Sequence, residues 1–81
     1  MIKITPEDAK VIEAIKAARE KAGLSQRELS LMISKSHSLI QKMEGGKRPA
    51  RVTELTAIAV ATGTNPVALY RATLLPGKSK E

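Results

Sequence analysis

The chain has 81 residues, enough for one small domain, and any core must be aliphatic because the sequence holds one tyrosine, no phenylalanine and no tryptophan. The absence of cysteine excludes disulfide bonds, thiolate zinc sites and cysteine nucleophiles. No apolar run approaches the roughly 20 residues of a membrane-spanning helix. Charged residues near the N-terminus also interrupt any secretory signal, so we expect a cytoplasmic protein without a membrane partner.

The formal net charge is +6, and most of it lies in residues 35–51. Such a cluster suits a polyanion such as nucleic acid, although a solvated basic face is the simpler alternative. An anionic membrane surface fits less well, since the segment lacks the long apolar face of an interfacial helix. The charged residues of this segment are Lys35, Lys42, Lys47, Arg48 and Arg51 against Glu44 alone.

The first predicted helix begins at Pro6, because Thr5 can cap it and proline suits the first helical position. Gly23 ends the helix at a typical C-terminal cap position. Apolar residues at helical spacing form one stripe that we expect to be buried, namely Val11, Ile12, Ile15, Ala18 and Ala22.

A capping box of Ser25 and Glu28 predicts the start of a short second helix. The pair at residues 34–35 breaks this helix. Its expected buried residues are Leu29, Met32 and Ile33.

The third helix is predicted to follow at once, capped by Ser36 and running from about residue 37 to residue 44. It turns Ile40 and Met43 inward, and the two glycines at 45–46 end it.

The fourth helix covers about residues 53–62 and ends at Gly63. Asn65 and Pro66 then mark the start of a fifth helix that ends near Leu74. We therefore predict an all-α domain over residues 1–75 and a short disordered tail over 76–81. The inner face of the fourth helix is expected to hold Leu55, Ile58 and Ala59.

The most informative segment lies between residues 23 and 48. Two capping serines eleven residues apart, Ser25 and Ser36, frame a short helix and a tight turn, so the next helix can protrude into a major groove about 12 Å wide. The runs GLSQRELS and SHSLIQKMEGGKR resemble the Cro/C1-type (Xre) helix-turn-helix family, which includes the lambdoid phage repressors. The resemblance covers about residues 10–70. It implies a five-helix, lambda-repressor-like fold whose second and third helices bind DNA.

The turn departs from the family pattern at two positions. Ser34 stands where the family usually has glycine, and Lys35 where it usually has an apolar residue. A left-handed serine costs roughly 1 kcal/mol, so either the turn is built differently or Lys35 buries only its aliphatic stem.

Residues at the start and on the outer face of the third helix are the candidate base readers. Gln41 suits adenine and Lys42 suits guanine, while His37 and Ser38 suit either a base or a phosphate. Glu44 is more simply a structural residue that bonds within the fold. The candidate base contacts are thus His37, Ser38, Gln41 and Lys42.

Phosphate contacts are expected around these base readers. Gln26 resembles the family residue that contacts phosphate and braces the recognition helix, and the alternative is an ordinary surface residue of the capping box. The full set of candidate phosphate contacts is Gln26, Arg27, Ser36, Lys47, Arg48 and Arg51.

One short recognition helix discriminates poorly among genomic sites, so we expect a homodimer on a near-palindromic operator. The last helix holds more apolar residues than one small core needs, unless Leu69 and Tyr70 simply cap that core. The candidate dimer interface is Leu69, Tyr70, Leu74 and Leu75.

The first functional hypothesis is a sequence-specific transcriptional regulator, most simply a repressor of phage or prokaryotic type. An antitoxin or adaptor that mainly binds protein is the alternative, and a non-specific nucleic-acid binder is a third. No nucleophile elbow, zinc-binding histidine pair or phosphate-cradling glycine loop is present. We therefore expect no enzymatic activity, cofactor, metal or small-molecule ligand.

Overall fold

The computed structural model describes residues 4–34, 36–72 and 74, and within them the chain forms helices and no strand. The all-α fold is thus confirmed. Lys35 and the expected tail at 76–81 lie outside the described residues. The helices are α1 (Pro6–Lys21), α2 (Gln26–Ile33), α3 (Leu39–Glu44), α4 (Val52–Thr62) and α5 (Pro66–Arg71).

Side-chain caps set the starts of α1 and α2, as predicted. The Thr5 hydroxyl accepts a hydrogen bond from the Asp8 amide at 3.1 Å, and the Asp8 carboxylate accepts one from the Thr5 amide at 3.1 Å. Ser25 and Glu28 exchange the equivalent pair at 3.0 and 2.8 Å. These bonds satisfy amides that have no partner within their helices. At the end of α4, Gly63 has a φ of +71°, a left-handed conformation that glycine adopts without a steric cost.

One aliphatic core joins all the described helices. Helix α2 packs against both α3 and α4, while α1 packs against α3, α4 and α5. Helix α3 is therefore held from two sides. The core residues are Val11, Ile15, Leu29, Ile40, Met43, Leu55, Ile58, Ala59 and Leu69.

Two residues expected in the core are exposed. Met32 is 56% exposed, and the prediction that it is buried was wrong. Leu29 and Ser30 are both fully buried, so the inner face of α2 is centred between them. Successive residues are about 100° apart around the helix axis, so Ile33 lies near the centre of this face and Met32 lies roughly 110° away from it. Ala22 is exposed because it lies beyond the last turn of α1, at the C-cap.

Helix α3 begins later than predicted. It starts at Leu39 rather than at His37, and Ser36 is not its cap. The hydroxyl that serves the start of α3 belongs to Ser30 on α2, which accepts a hydrogen bond from the Ile40 amide at 2.9 Å. A contact between two helices therefore replaces the local cap that the sequence indicated.

Serine hydroxyls also organise the turn between α2 and α3. The Ser36 amide donates to the Ser34 hydroxyl at 3.0 Å, and the Ser38 amide donates to the Ser36 hydroxyl at 3.3 Å. Ser34 has a φ of −158°, which is extended backbone. The turn is therefore built differently from the glycine-containing pattern, and the expected left-handed strain at Ser34 is absent.

Replacing Ser30 by alanine is expected to lower the free energy of unfolding by about 1–3 kcal/mol, because the buried Ile40 amide loses its acceptor. Urea denaturation followed by circular dichroism measures this change. Ser36→Ala is the matched control, since its longer bond lies on the surface, and its expected effect is below about 0.5 kcal/mol. Equal losses for the two variants would show that the Ser30 bond has no special role.

Candidate nucleic-acid interface

Helix α3 has one buried side and one exposed side. Ile40 and Met43 are fully buried, whereas Gln41 and Lys42 are exposed. This arrangement follows from the helical period, which turns neighbouring residues about 100° apart. An open cleft of about 350 Å³ lies beside the exposed side and is lined by Ser38, Gln41, Lys42, Gly45 and Lys47. The structure thus brings four of the predicted contact residues together.

The other predicted contacts do not line this cleft. His37 is exposed in the turn before α3, not on its first helical turn as predicted, and Ser36 is exposed in the same turn. Arg27 is exposed near the start of α2, and Gln26, the first residue of α2, is half-buried. His37 can therefore contact a ligand only from the turn.

A buried ion pair fixes the end of α3 to α1. Arg19 donates from Nε to Glu44 Oε2 at 2.7 Å and from Nη2 to Glu44 Oε1 at 3.1 Å. Its Nη1 donates to the Leu24 carbonyl at 2.7 Å. Gln26 Nε2 donates to the same Glu44 Oε1 at 2.8 Å. The hydrogen bond to Glu44 raises the pKa of the Arg19 guanidinium. Glu44 is thus a structural residue, as expected.

Arg19 is the residue that sequence reasoning missed. It is only 9% exposed, although it is charged. Its position four residues after Ile15 places it on the buried stripe of α1. A cation within an apolar stripe is a signal that a buried acidic partner exists, and only the fold shows that the partner is Glu44.

The basic loop between α3 and α4 is shaped by a second ion pair. Arg48 Nη1 donates to both Glu54 oxygens, at 3.1 and 3.2 Å, and the Arg51 amide donates to Glu54 Oε1 at 2.9 Å. Lys47 and the Arg51 side chain are exposed. Glu54 thus offsets part of the positive charge of this loop.

One residue of the apolar surface predicted near α5 is not at the surface. Leu69 is 2% exposed and belongs to the core, so the expectation that it forms an exposed interface was wrong. Tyr70 and Leu74 are more than half exposed. Leu75 lies outside the described residues. The alternative that Leu69 caps the core is the one that the structure supports.

An apolar groove between α4 and α5 extends this surface. It encloses about 250 Å³, and three of the side chains along it, Val52, Val67 and Tyr70, are more than half exposed. Sequence reasoning assigned no role to Val52, the first residue of α4, which is 74% exposed. The described residues lining the groove are Val52, Leu55, Thr56, Pro66, Val67 and Tyr70.

Comparison with known families agrees with this geometry. The family model described as helix-turn-helix matches residues 15–69, a span that begins on the inner face of α1 and ends at the buried leucine of α5. The chain belongs to the Cro/C1-type helix-turn-helix family. No curated protein matches the sequence significantly.

This helix-turn-helix protein is therefore a DNA-binding protein of the transcription-regulator kind, and its family is not an enzyme family. Within the part of the chain that is described, no helix is long and apolar enough to cross a membrane. The same residues contain no cluster of histidine and carboxylate side chains able to hold a metal ion.

Replacing Lys47 by alanine is expected to flatten the salt dependence of DNA binding by about 0.9 in the slope of log affinity against log salt, because one phosphate-neutralising charge is lost. Anisotropy titrations of duplex DNA between about 50 and 200 mM salt measure the slope. Lys16→Ala is the control, since it removes the same charge from an exposed site on α1. Equal flattening by both variants would contradict a local contact. Arg48 is a poorer probe, because its removal also frees the Glu54 carboxylate.

Proposed function

We propose that the helix-turn-helix protein is a sequence-specific transcriptional repressor that places α3 in the major groove of an operator. The observation that carries this proposal is the cleft beside α3, where Ser38, Gln41, Lys42 and Lys47 converge opposite the buried side of the helix. Donors and acceptors are thereby presented on a short helix whose other side is anchored in the core. Repression needs only that the bound protein covers a promoter, whereas activation needs a further surface.

Gln41 and Lys42 are the proposed base readers at the centre of this surface. The Gln41 amide can bond both N6 and N7 of adenine, and the Lys42 ammonium can donate to O6 and N7 of guanine. His37 and Ser38 approach from the preceding turn. The proposed phosphate contacts are Gln26, Arg27, Ser36, Lys47, Arg48 and Arg51.

We further propose that two copies bind a near-palindromic operator. The support comes from exposed apolar residues on α5 and just after it, chiefly Val67, Tyr70 and Leu74, which gain from being covered. A two-fold dimer doubles the number of base contacts and requires half-sites about 34–36 Å apart.

The apolar groove between α4 and α5 supports the second candidate, an antitoxin or adaptor whose main ligand is another protein. An apolar cleft between two helices suits a foreign helix as well as a second copy. The two candidates differ in what occupies the groove, so sedimentation of the pure protein distinguishes them. A homodimer supports the repressor, and a persistent monomer supports the adaptor.

Gln41→Ala is the substitution that tests the proposal. It is expected to weaken binding to the best selected duplex by about 1–3 kcal/mol and to random duplexes by much less, because a base-specific contact is removed. Selection from random DNA supplies the site, and anisotropy titration gives both affinities. An equal loss on both duplexes would show that Gln41 contacts only the backbone.

A further inference from the structure

A continuous set of hydrogen bonds links α1 to the first residue of α2 through the last residue of α3. Arg19 binds both oxygens of Glu44, and Oε1 of the same carboxylate accepts from Gln26 Nε2 at 2.8 Å. The side chains of Arg19 and Glu44 are 11% and 4% exposed. The pair is therefore shielded from water, whereas Gln26 is only half-buried and reaches the surface.

The chemistry of this link determines which way the Gln26 amide faces. An ionised carboxylate paired with arginine only accepts hydrogen bonds, so it must meet the amide through the nitrogen and not the oxygen. The amide nitrogen has two hydrogens, and Glu44 takes one of them. The second N–H remains for another acceptor. Without the carboxylate the amide could rotate and present its oxygen instead, which repels a phosphate.

We infer that Arg19 is a positioning residue for DNA binding, which acts through Glu44 by holding the Gln26 amide with an N–H turned toward a phosphate. The inference rests on the proposed phosphate contact of Gln26. Arg19 itself is buried on α1 and needs no contact with DNA. Its Nη1 bond to the Leu24 carbonyl also ties the residues just before α2 to the same guanidinium, which places Gln26 relative to α3.

The test replaces single phosphates of the best selected duplex by neutral methylphosphonates and measures the affinity at each position. In the wild type, substitution of the phosphate that accepts from Gln26 should lower the affinity roughly ten- to a hundredfold, since a hydrogen bond to a charged group is lost. Gln26→Ala identifies that position, because its binding should no longer depend on the charge there. Glu44→Gln should abolish the sensitivity at the same position. Arg19→Lys should reduce it, because an ammonium cannot hold both Glu44 oxygens and the Leu24 carbonyl as the guanidinium does.

Two features separate positioning from a general loss of structure. Circular dichroism at low temperature confirms that each variant is folded, and the conservative Arg19→Lys change keeps a cation beside Glu44 if Glu44→Gln does not fold. Asp8→Asn is the control for lowered stability, because it weakens the α1 cap without touching Glu44. A less stable fold lowers the affinity for every substituted duplex by the same factor. A loss of positioning changes the effect of substitution at one phosphate only.

Each outcome decides the inference. The inference is supported if the sensitivity to substitution is lost or reduced at the Gln26 phosphate alone, in Glu44→Gln or Arg19→Lys but not in Asp8→Asn. A uniform loss of affinity at all positions, or an unchanged sensitivity at that phosphate, overturns the inference while leaving the proposed function intact. If Gln26→Ala itself changes no single phosphate, then the proposed contact of Gln26 fails, and the inference fails with it.

Discussion

Replacing Arg19 by methionine is expected to lower the free energy of unfolding by about 3–5 kcal/mol, because the Glu44 carboxylate stays buried without its cation. For a domain of this size, each kcal/mol lowers the melting temperature by about 4–8 °C. Thermal denaturation followed by circular dichroism measures the loss. Of the ion pairs described here, Arg19–Glu44 is the most buried, so its rupture is the most costly single change to a charged residue.

Two further variants define the cause of this loss. Arg19→Met combined with Glu44→Leu should recover most of the stability, since no buried charge is then left unpaired. Arg48→Met, which breaks the more exposed pair with Glu54, should cost no more than about 1 kcal/mol. If the double variant is as unstable as Arg19→Met alone, the loss comes from packing and not from charge.

Introducing aspartate at both Tyr70 and Leu74 is expected to produce a folded monomer that binds a complete operator about 10²–10⁴ times more weakly. Both side chains are more than half exposed, so charge there leaves the core intact but opposes their burial in a dimer. The factor reflects the loss of the linked second binding event. Sedimentation gives the oligomeric state, and anisotropy titration gives the affinity.

The comparison between a complete operator and a single half-site makes this prediction specific. The affinity for an isolated half-site should be almost unchanged in the double variant. Val60→Asp is the control, because Val60 is exposed on α4 and is not among the residues lining the groove. A wild type that is monomeric at high concentration and binds one chain per site contradicts the dimer.

The helix starts were predictable wherever a local pattern decides them. Thr5 and Ser25 form capping boxes with residues three positions ahead, so a few residues of sequence contain the whole interaction. The start of α3 was mispredicted because its acceptor, Ser30, lies ten residues before Ile40 on another helix. A cap supplied across a helix pair leaves no local pattern.

The exposed side of α3 was predictable from the sequence, but its anchoring was not. Ile40 and Met43 are three positions apart and therefore share one side of the helix, whereas Gln41 and Lys42 between them lie on the other side. The bond between Arg19 and Glu44 joins residues 25 positions apart, and no spacing rule identifies such a pair. Leu69 was assigned to an interface for a related reason, since apolar composition does not show which side of a short helix is buried.

The most direct test of the central claim, that α3 reads base sequence, is a ratio of two dissociation constants measured with the wild type. One constant is for the best site recovered by selection from random duplexes, and the other is for random DNA of the same length, both at about 150 mM salt. Sequence-specific binding by α3 predicts a ratio of at least about 10³. A ratio near one, with no site enriched by the selection, would contradict it.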